Sequence, residues 1–341
     1  MEANTMAEGL TWNVYDANTM TQADIYGEVL CKLGEKYDHI VGLSADLAKS
    51  TKIGKFAEKY PHRFFNAGVA EQNMFGMAAG LALSGLVPVV STMAVFTTMR
   101  AAEQVRTDIC YQNLDVKIIA THGGISFGQA GTTHQCTEDI AIMRSMANMT
   151  VVVPADGIEC ANAVISCIEH PGPVYIRIGR GFEPTCYEND EYGFKIGKAV
   201  EINPGSDISL ICCGITVLQA KEAARILEKS DGLSVRVINM HTLKPFDAET
   251  VLKAVRETRR IITFEDHNIY GGLGSAVAEV IAESGKACAF TRVGIPDCYS
   301  IVGYPEDLYN FYKLDADGIV GKVREVMGKD FEEDESWEDG F

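Results

Sequence analysis

Basic residues are in deficit: 30 Lys and Arg stand against 47 Asp and Glu, a formal net charge of −17. That balance argues against a general nucleic-acid binder, because phosphate backbones are held by clusters of Lys and Arg. Long apolar runs are also missing, and none approaches the roughly 18 apolar residues of a membrane span. Met1 to Gln22 lacks a basic start followed by an apolar core, so it reads as a short polar extension and not as a secretory signal. Cysteine occurs ten times without pattern, with no CxxC pair and no Cys/His spacing that suggests zinc. Reduced thiols and a cytoplasmic location are the expectation from that scatter. A dinucleotide fingerprint is incomplete too. "YGGLGSAV" at 270–277 follows a strand and opens a helix, but Val277 stands where a third glycine is required. Close packing of strand against helix accounts for its glycines.

What is present is the composition of an ordinary globular protein, 47% hydrophobic and 23% charged over 341 residues, enough for two domains. Apolar runs of strand length alternate with helix-period segments. "HIVGL", "VPVVS", "VKIIATHG", "TVVVPAD" and "PVYIRIG" read as buried strands, with helices expected over 68–84 and 97–111 between them. The pattern restarts at "DISLICCG" and continues through "SVRVINM", "RRIITFEDH" and "AFTRVGI". This alternation predicts an α/β protein of two parallel-sheet domains. The expected boundaries are an extension over 1–19, a first domain over 20–185, a turn-rich linker over 186–196, a second domain over 197–328, and an acidic tail over 329–341.

Four stretches carry candidate chemistry. "FFNAGVAEQNMFGMAAGLALSG" (64–85) is small and apolar yet holds Glu71. That acid is either favoured by a helix N-terminus or a catalytic carboxyl in apolar surroundings. "THGGISFGQAGTTHQ" (121–135) places His122 and His134 in a Gly-rich loop after a buried strand, the edge where open α/β sheets bind ligands. "MAVFTTMR" (93–100) puts Met93, Phe96 and Met99 at i, i+3, i+6 with Arg100 at i+7, either a core-facing stripe or a platform for a flat heterocycle. "PVYIRIGRG" (173–181) ends on Arg177 and Arg180; one can pair with a carboxylate, and two at this edge suit an anion.

Together with "NMTVVVPADGIE" and "VRVINMHTLKPFD", these stretches, in this order, resemble the carboxyl-terminal half of the transketolase family of thiamine-diphosphate enzymes. The likeness runs over roughly residues 20–325. It implies a pyrimidine-binding domain followed by the smaller transketolase C-terminal domain. Members of the family hold the diphosphate and its divalent metal, Mg²⁺ or Ca²⁺, with a GDG motif and a following Asn. No GDG occurs here. The resemblance therefore implies the C-terminal subunit of a split transketolase, dependent on an N-terminal subunit that carries the motif, in a heterotetramer of two of each chain.

It also implies roles. Glu71 matches the glutamate that hydrogen-bonds the cofactor's aminopyrimidine and promotes its action as a base. Met93, Phe96 and Met99 match positions that stack on the pyrimidine, only Phe96 remaining aromatic. Asp46 matches an acid near the cofactor at the subunit interface. Ser50, His122 and Arg180 match a cluster that binds substrate phosphate, and His134 matches a histidine near the donor's oxygens. Two departures bear on substrate. Gln22 stands where an arginine of the phosphate cluster is usual, and Ala130, beside Gln129, where an acid usually reads a donor hydroxyl. They imply a specialised ketose donor, or an acceptor with a different anionic or uncharged end. The rivals are the β subunit of a 2-oxoacid dehydrogenase, a deoxyxylulose-phosphate-synthase-like enzyme, and a non-catalytic homologue acting as a partner protein.

Overall fold

A computed structural model describes residues 19–181, 184–187 and 192–329. Nearly all of the expected N-terminal extension, part of the linker and almost all of the acidic tail lie outside the described residues.

The first six strands are β1 (Ile40–Ser44), β2 (Phe64–Asn66), β3 (Val87–Met93), β4 (Lys117–Thr121), β5 (Thr150–Val152) and β6 (Val174–Arg177). Every residue of β1, β3, β4, β5 and β6 is buried, which is why these strands read as continuous apolar runs. The remaining strands are β7 (Val200–Asn203), β8 (Ile208–Cys212), β9 (Val235–Asn239), β10 (Thr242–Lys244), β11 (Arg260–Asn268) and β12 (Ala289–Ile295).

They form two sheets, ordered β10-β5-β6-β4-β3-β1-β2 and β12-β11-β8-β9-β7. Both are mostly parallel, but each carries one antiparallel member: β7 against β9, and β10 against β5. The sequence pattern assigns the stretch around β10 wholly to the second domain. Instead, after β9 the chain crosses to the first sheet and covers the free edge of β5. That edge would otherwise present unpaired backbone groups. Lys244 fixes the crossing by donating from Nζ to the carbonyl of Arg144 at 3.0 Å.

The helix expected over 68–84 forms as Glu71–Leu83. The one expected over 97–111 does not run through. A helix over Ala94–Arg100 ends at Ala101, whose backbone leaves helical geometry, and a short turn leads into a π-helical segment over Val105–Cys110. The break leaves Arg100 in the last turn of its helix.

The glycines of "YGGLGSAV" have a packing cause. Glu265, buried in β11, accepts hydrogen bonds from the N–H groups of Leu273 (2.7 Å) and Gly274 (2.8 Å) at the start of helix Leu273–Ser284. A Cβ on Gly272 would lie 1.9 Å from its Oε2. The positive end of this helix is thus occupied by the chain's own carboxylate.

The two sheets meet around Arg177. Its Nε donates to Asp139 at 2.9 Å, and its Nη2 donates to the carbonyl of Asp266, in β11, at 2.5 Å. Asp139 is fully buried and also accepts from the Tyr175 hydroxyl at 2.7 Å. Removing one partner of such a pair strands a buried charge. Asp139→Ala is expected to destabilise the chain by about 3–5 kcal/mol; chemical denaturation measures this, and a loss below about 1 kcal/mol, the scale of an exposed pair, would contradict the assignment.

Candidate active site

Strands β6, β4, β3 and β1 are adjacent and parallel, with β2 outside β1, so their carboxyl ends share one edge. Each end delivers a residue singled out in the sequence: Arg180 after β6, His122 after β4, Met93 and Phe96 at and after the end of β3, Asp46 and Ser50 after β1. After β2, Glu71 opens the next helix.

Asp46 and His122 have positive φ, at 59° and 61°. Non-glycine residues enter that region at a cost, and such strain concentrates at functional sites. Asp46 is exposed and is held by Asn66: its N–H donates to Asn66 Oδ1 at 2.9 Å. His122 is buried, with Nδ1 2.7 Å from the Thr121 hydroxyl. Burial, reinforced by Arg180 and His134, pushes its pKa down to about 4. It is therefore a neutral imidazole near pH 7, able to donate or accept a hydrogen bond.

A chain of ring contacts connects several of these groups, and its hub is Phe127. The ring of Phe127 lies 5.0 Å from that of His122 and 5.7 Å from that of His134, both edge-on. Arg180 is exposed and places its guanidinium 4.3 Å over the Phe127 ring. His134 in turn meets Phe96 edge-on at 5.5 Å. Phe96 carries the guanidinium of Arg100 over its face at 3.8 Å, and Arg100 Nη1 donates to Glu71 Oε1 at 2.7 Å. Glu71 is 4% exposed.

The structure thus brings Glu71, Phe96, His134, His122 and Arg180 into one connected patch. Met93 is buried and Met99 is half exposed at 52%, so the three do not share a face. Met93 closes β3 and is not helical, so the i, i+3, i+6 spacing does not carry through it. Arg177 is not free for an anion, since it is buried in its pair with Asp139; of the two arginines, Arg180 presents the exposed guanidinium. Ser50 is exposed on the loop after β1. Gln22 is 3% exposed, and its Oε1 has no hydrogen-bond partner among the described residues. It lines a small inter-domain cavity with Ser126, Arg177, Asp266 and Tyr309, together with Gly123 and Gly179, the chain neighbours of His122 and Arg180. Ala130 is half-buried in a 3₁₀ turn over Gly128–Ala130, and Gln129 beside it is exposed.

Two contributors, Phe127 and Asp266, escaped the sequence reading, and Arg100 was marked there only by its spacing, with no role given. Phe127 was legible only as a lone aromatic in a Gly-rich loop. Arg100 follows Phe96 by four residues, the spacing at which helical side chains meet. Asp266 comes from the second sheet and had no local signal. Its Oδ1 accepts from the N–H of Ile125 at 3.1 Å and its Oδ2 from the Tyr309 hydroxyl at 3.2 Å. Gly124, at φ +60°, makes room for it, since a Cβ there would lie 1.9 Å from Oδ2. Thr132 and Gln135 also donate to the carbonyls of Ser300 and Ile301. The second domain therefore holds the histidine loop in place.

Comparison with known proteins gives this geometry its relatives. Residues 18–182 match the family description "Transketolase, pyrimidine binding domain" and residues 197–319 match "Transketolase, C-terminal domain". A "Putative transketolase C-terminal section" from Methanocaldococcus jannaschii is 44% identical over 306 residues, covering 89% of this chain and 96% of the relative. One of the subunits of an apulose-4-phosphate transketolase from Phocaeicola vulgatus is 36% identical, with the same coverage of 89% and 96%. A solved structure described as "Split gene transketolase, inactive beta4 tetramer" superposes with a TM-score of 0.81 at 41% identity, covering 90% of this chain and 98% of that one.

Asp266 gives a pH test. Burial raises its pKa, against the opposing Arg177 charge, from 3.8 to about 6. The folded chain then holds this proton more tightly than the unfolded one. Stability from this group is therefore full below 3.8 and is lost as pH rises through about 6. Relative to Asp266→Asn, wild type is expected to gain about 2 kcal/mol between about pH 7 and about pH 4.5, at about 1.4 kcal/mol per pKa unit. Denaturation curves at the two pH values measure the difference, and a pH-independent gap would refute it.

Proposed function

The chain belongs to the transketolase family, and from that membership we propose that it is the C-terminal subunit of a two-chain, thiamine-diphosphate-dependent transketolase. It moves a two-carbon ketol unit from a ketose to an aldose. The observation that carries this reading is Glu71: a buried carboxylate at the ligand-binding edge, beside the face of Phe96, in a chain without a GDG motif. A planar N–H donor already satisfies both groups there, which is the chemistry an aminopyrimidine presents.

When bound, the cofactor supplies a carbon nucleophile and an electron sink. Glu71, buried at this edge, would hydrogen-bond the pyrimidine ring nitrogen and share a proton with it. Phe96 would give the ring a flat apolar support, with buried Met93 and exposed Met99 on the same segment, and exposed Asp46 would lie toward the partner chain. The N-terminal subunit provides the GDG motif, its Asn and the oxygen ligands for Mg²⁺ or Ca²⁺. Two copies of each chain form a heterotetramer.

On the sugar side, neutral His122 and half-buried His134 offer hydrogen bonds to hydroxyl or carbonyl oxygens, His134 next to the catalytic end of the patch. Arg180 and Ser50 meet an anionic end. Gln22 lies buried behind the loop and replaces a guanidinium with a neutral amide. The anion is therefore gripped by one arginine. Together with Ala130 in place of a hydroxyl-reading acid, this favours a ketose donor other than the common pentose and hexose phosphates. The apulose-4-phosphate enzyme among the relatives is consistent with such a departure.

The test is reconstitution with a partner chain bearing the GDG motif, thiamine diphosphate and Mg²⁺, assayed against a panel of ketose donors and of 2-oxoacids. Ketol transfer is expected only with both chains present, and transfer by this chain alone would defeat the split assignment. Glu71→Gln in the complex should lower kcat by about 10²-fold or more, the scale of a lost acid–base contribution. Unchanged turnover would remove Glu71 from its role. Arg180→Ala should raise KM for an anionic substrate more than it lowers kcat.

A further inference from the structure

Arg100 is bonded at once to both groups that the cofactor's ring would use. Its guanidinium lies 3.8 Å over the Phe96 ring and donates to Glu71 at 2.7 Å. A guanidinium and an aminopyrimidine share the relevant features: both are flat, both stack on an aromatic face, and both direct N–H groups in the plane. Phe96 is 8% exposed and also meets the His134 ring at 5.5 Å, so it keeps little free surface once Arg100 covers its face. A second plane cannot be inserted into a 3.8 Å separation. The Arg100 side chain itself is 47% exposed, so it can leave the site by rotating about its own bonds without disturbing the helix that carries it.

We propose that Arg100 is a built-in occupant of the pyrimidine subsite, a residue that sets cofactor affinity by competing with the ring for Glu71 and Phe96. The inference rests on the transketolase reading of the site. Without cofactor, the arginine gives the buried Glu71 carboxylate a partner and keeps the aromatic face covered, so the chain avoids an unpaired charge. Cofactor entry requires its departure. Binding then occurs only from the fraction of molecules in which Arg100 has swung out, which weakens the apparent affinity by that fraction. A cation–π contact plus a partly exposed ion pair is enough for roughly a tenfold effect. Arg100 does not act on the substrate and is not itself catalytic.

The experiment measures thiamine diphosphate binding, in the presence of Mg²⁺, to the assembled two-chain complex by equilibrium dialysis. Wild type is compared with Arg100→Ala and Arg100→Gln. Both variants should bind the cofactor about tenfold more tightly, while the isolated variant chains should melt below wild type because Glu71 has lost its partner. Equal or weaker binding by both variants, with wild type binding normally, would overturn the proposal. In that case Arg100 is a lasting neighbour of Glu71 and not a competitor. If neither wild type nor variants bind the cofactor, the functional reading itself fails and the proposal falls with it.

Discussion

One buried guanidinium connects most of what the site depends on. Arg177 ends β6, pairs through Nε with Asp139 at the head of the next helix after the histidine loop, and reaches with Nη2 to the carbonyls of Cys136 and Asp266. Those contacts fix the last strand of the site edge, the closing end of the histidine loop and the second sheet relative to one another. The charge is deep in the protein, so it is tolerated only because the carboxylate and carbonyls around it are correctly placed. That requirement makes the arrangement single-valued. Asp266 contributes from the other side, because its carboxylate takes the N–H of Ile125 while its carbonyl takes Arg177.

On this frame the chemistry is distributed by topology. Consecutive parallel strands present their carboxyl ends at one edge, so residues far apart in sequence become neighbours without any long loop. The aromatic series from Phe127 through His134 to Phe96 then links the exposed Arg180 to the Glu71 carboxylate. Two groups at this edge adopt a backbone conformation that is costly for non-glycine residues. Asp46 and His122 hold positive φ, and His122 is kept neutral by burial. The chain as a whole is acidic, at −17, which makes Arg180 a local exception at the mouth of the site.

Much of this was legible beforehand, for identifiable reasons. Strands buried on both faces read as apolar runs, so β1, β3, β4, β5 and β6 stood out. Glu71, His122, His134 and Arg180 were visible because polar residues interrupt small-residue or Gly-rich stretches just after such runs. The contacts that decide how they behave were not. Arg177 and Arg180 look alike in sequence, and only burial separates the structural arginine from the exposed one. Asp266 acts across the domain boundary, a relation no local pattern encodes. The 97–111 segment reads as one helix because its apolar spacing ignores the break at Ala101. The crossing of β10 was invisible because a three-residue strand looks the same whichever sheet it joins.

That crossing has a consequence for how such a chain can be cut and rejoined. One of the two edge strands of the first sheet, β10, is encoded within the second domain, well beyond the apparent linker. The two domains therefore share a strand despite their separate sheets. A gene break at the linker would leave one half without a strand and the other with a strand that has nothing to join. Recombination that shuffles one domain without the other faces the same penalty, so the pair is expected to travel through evolution together.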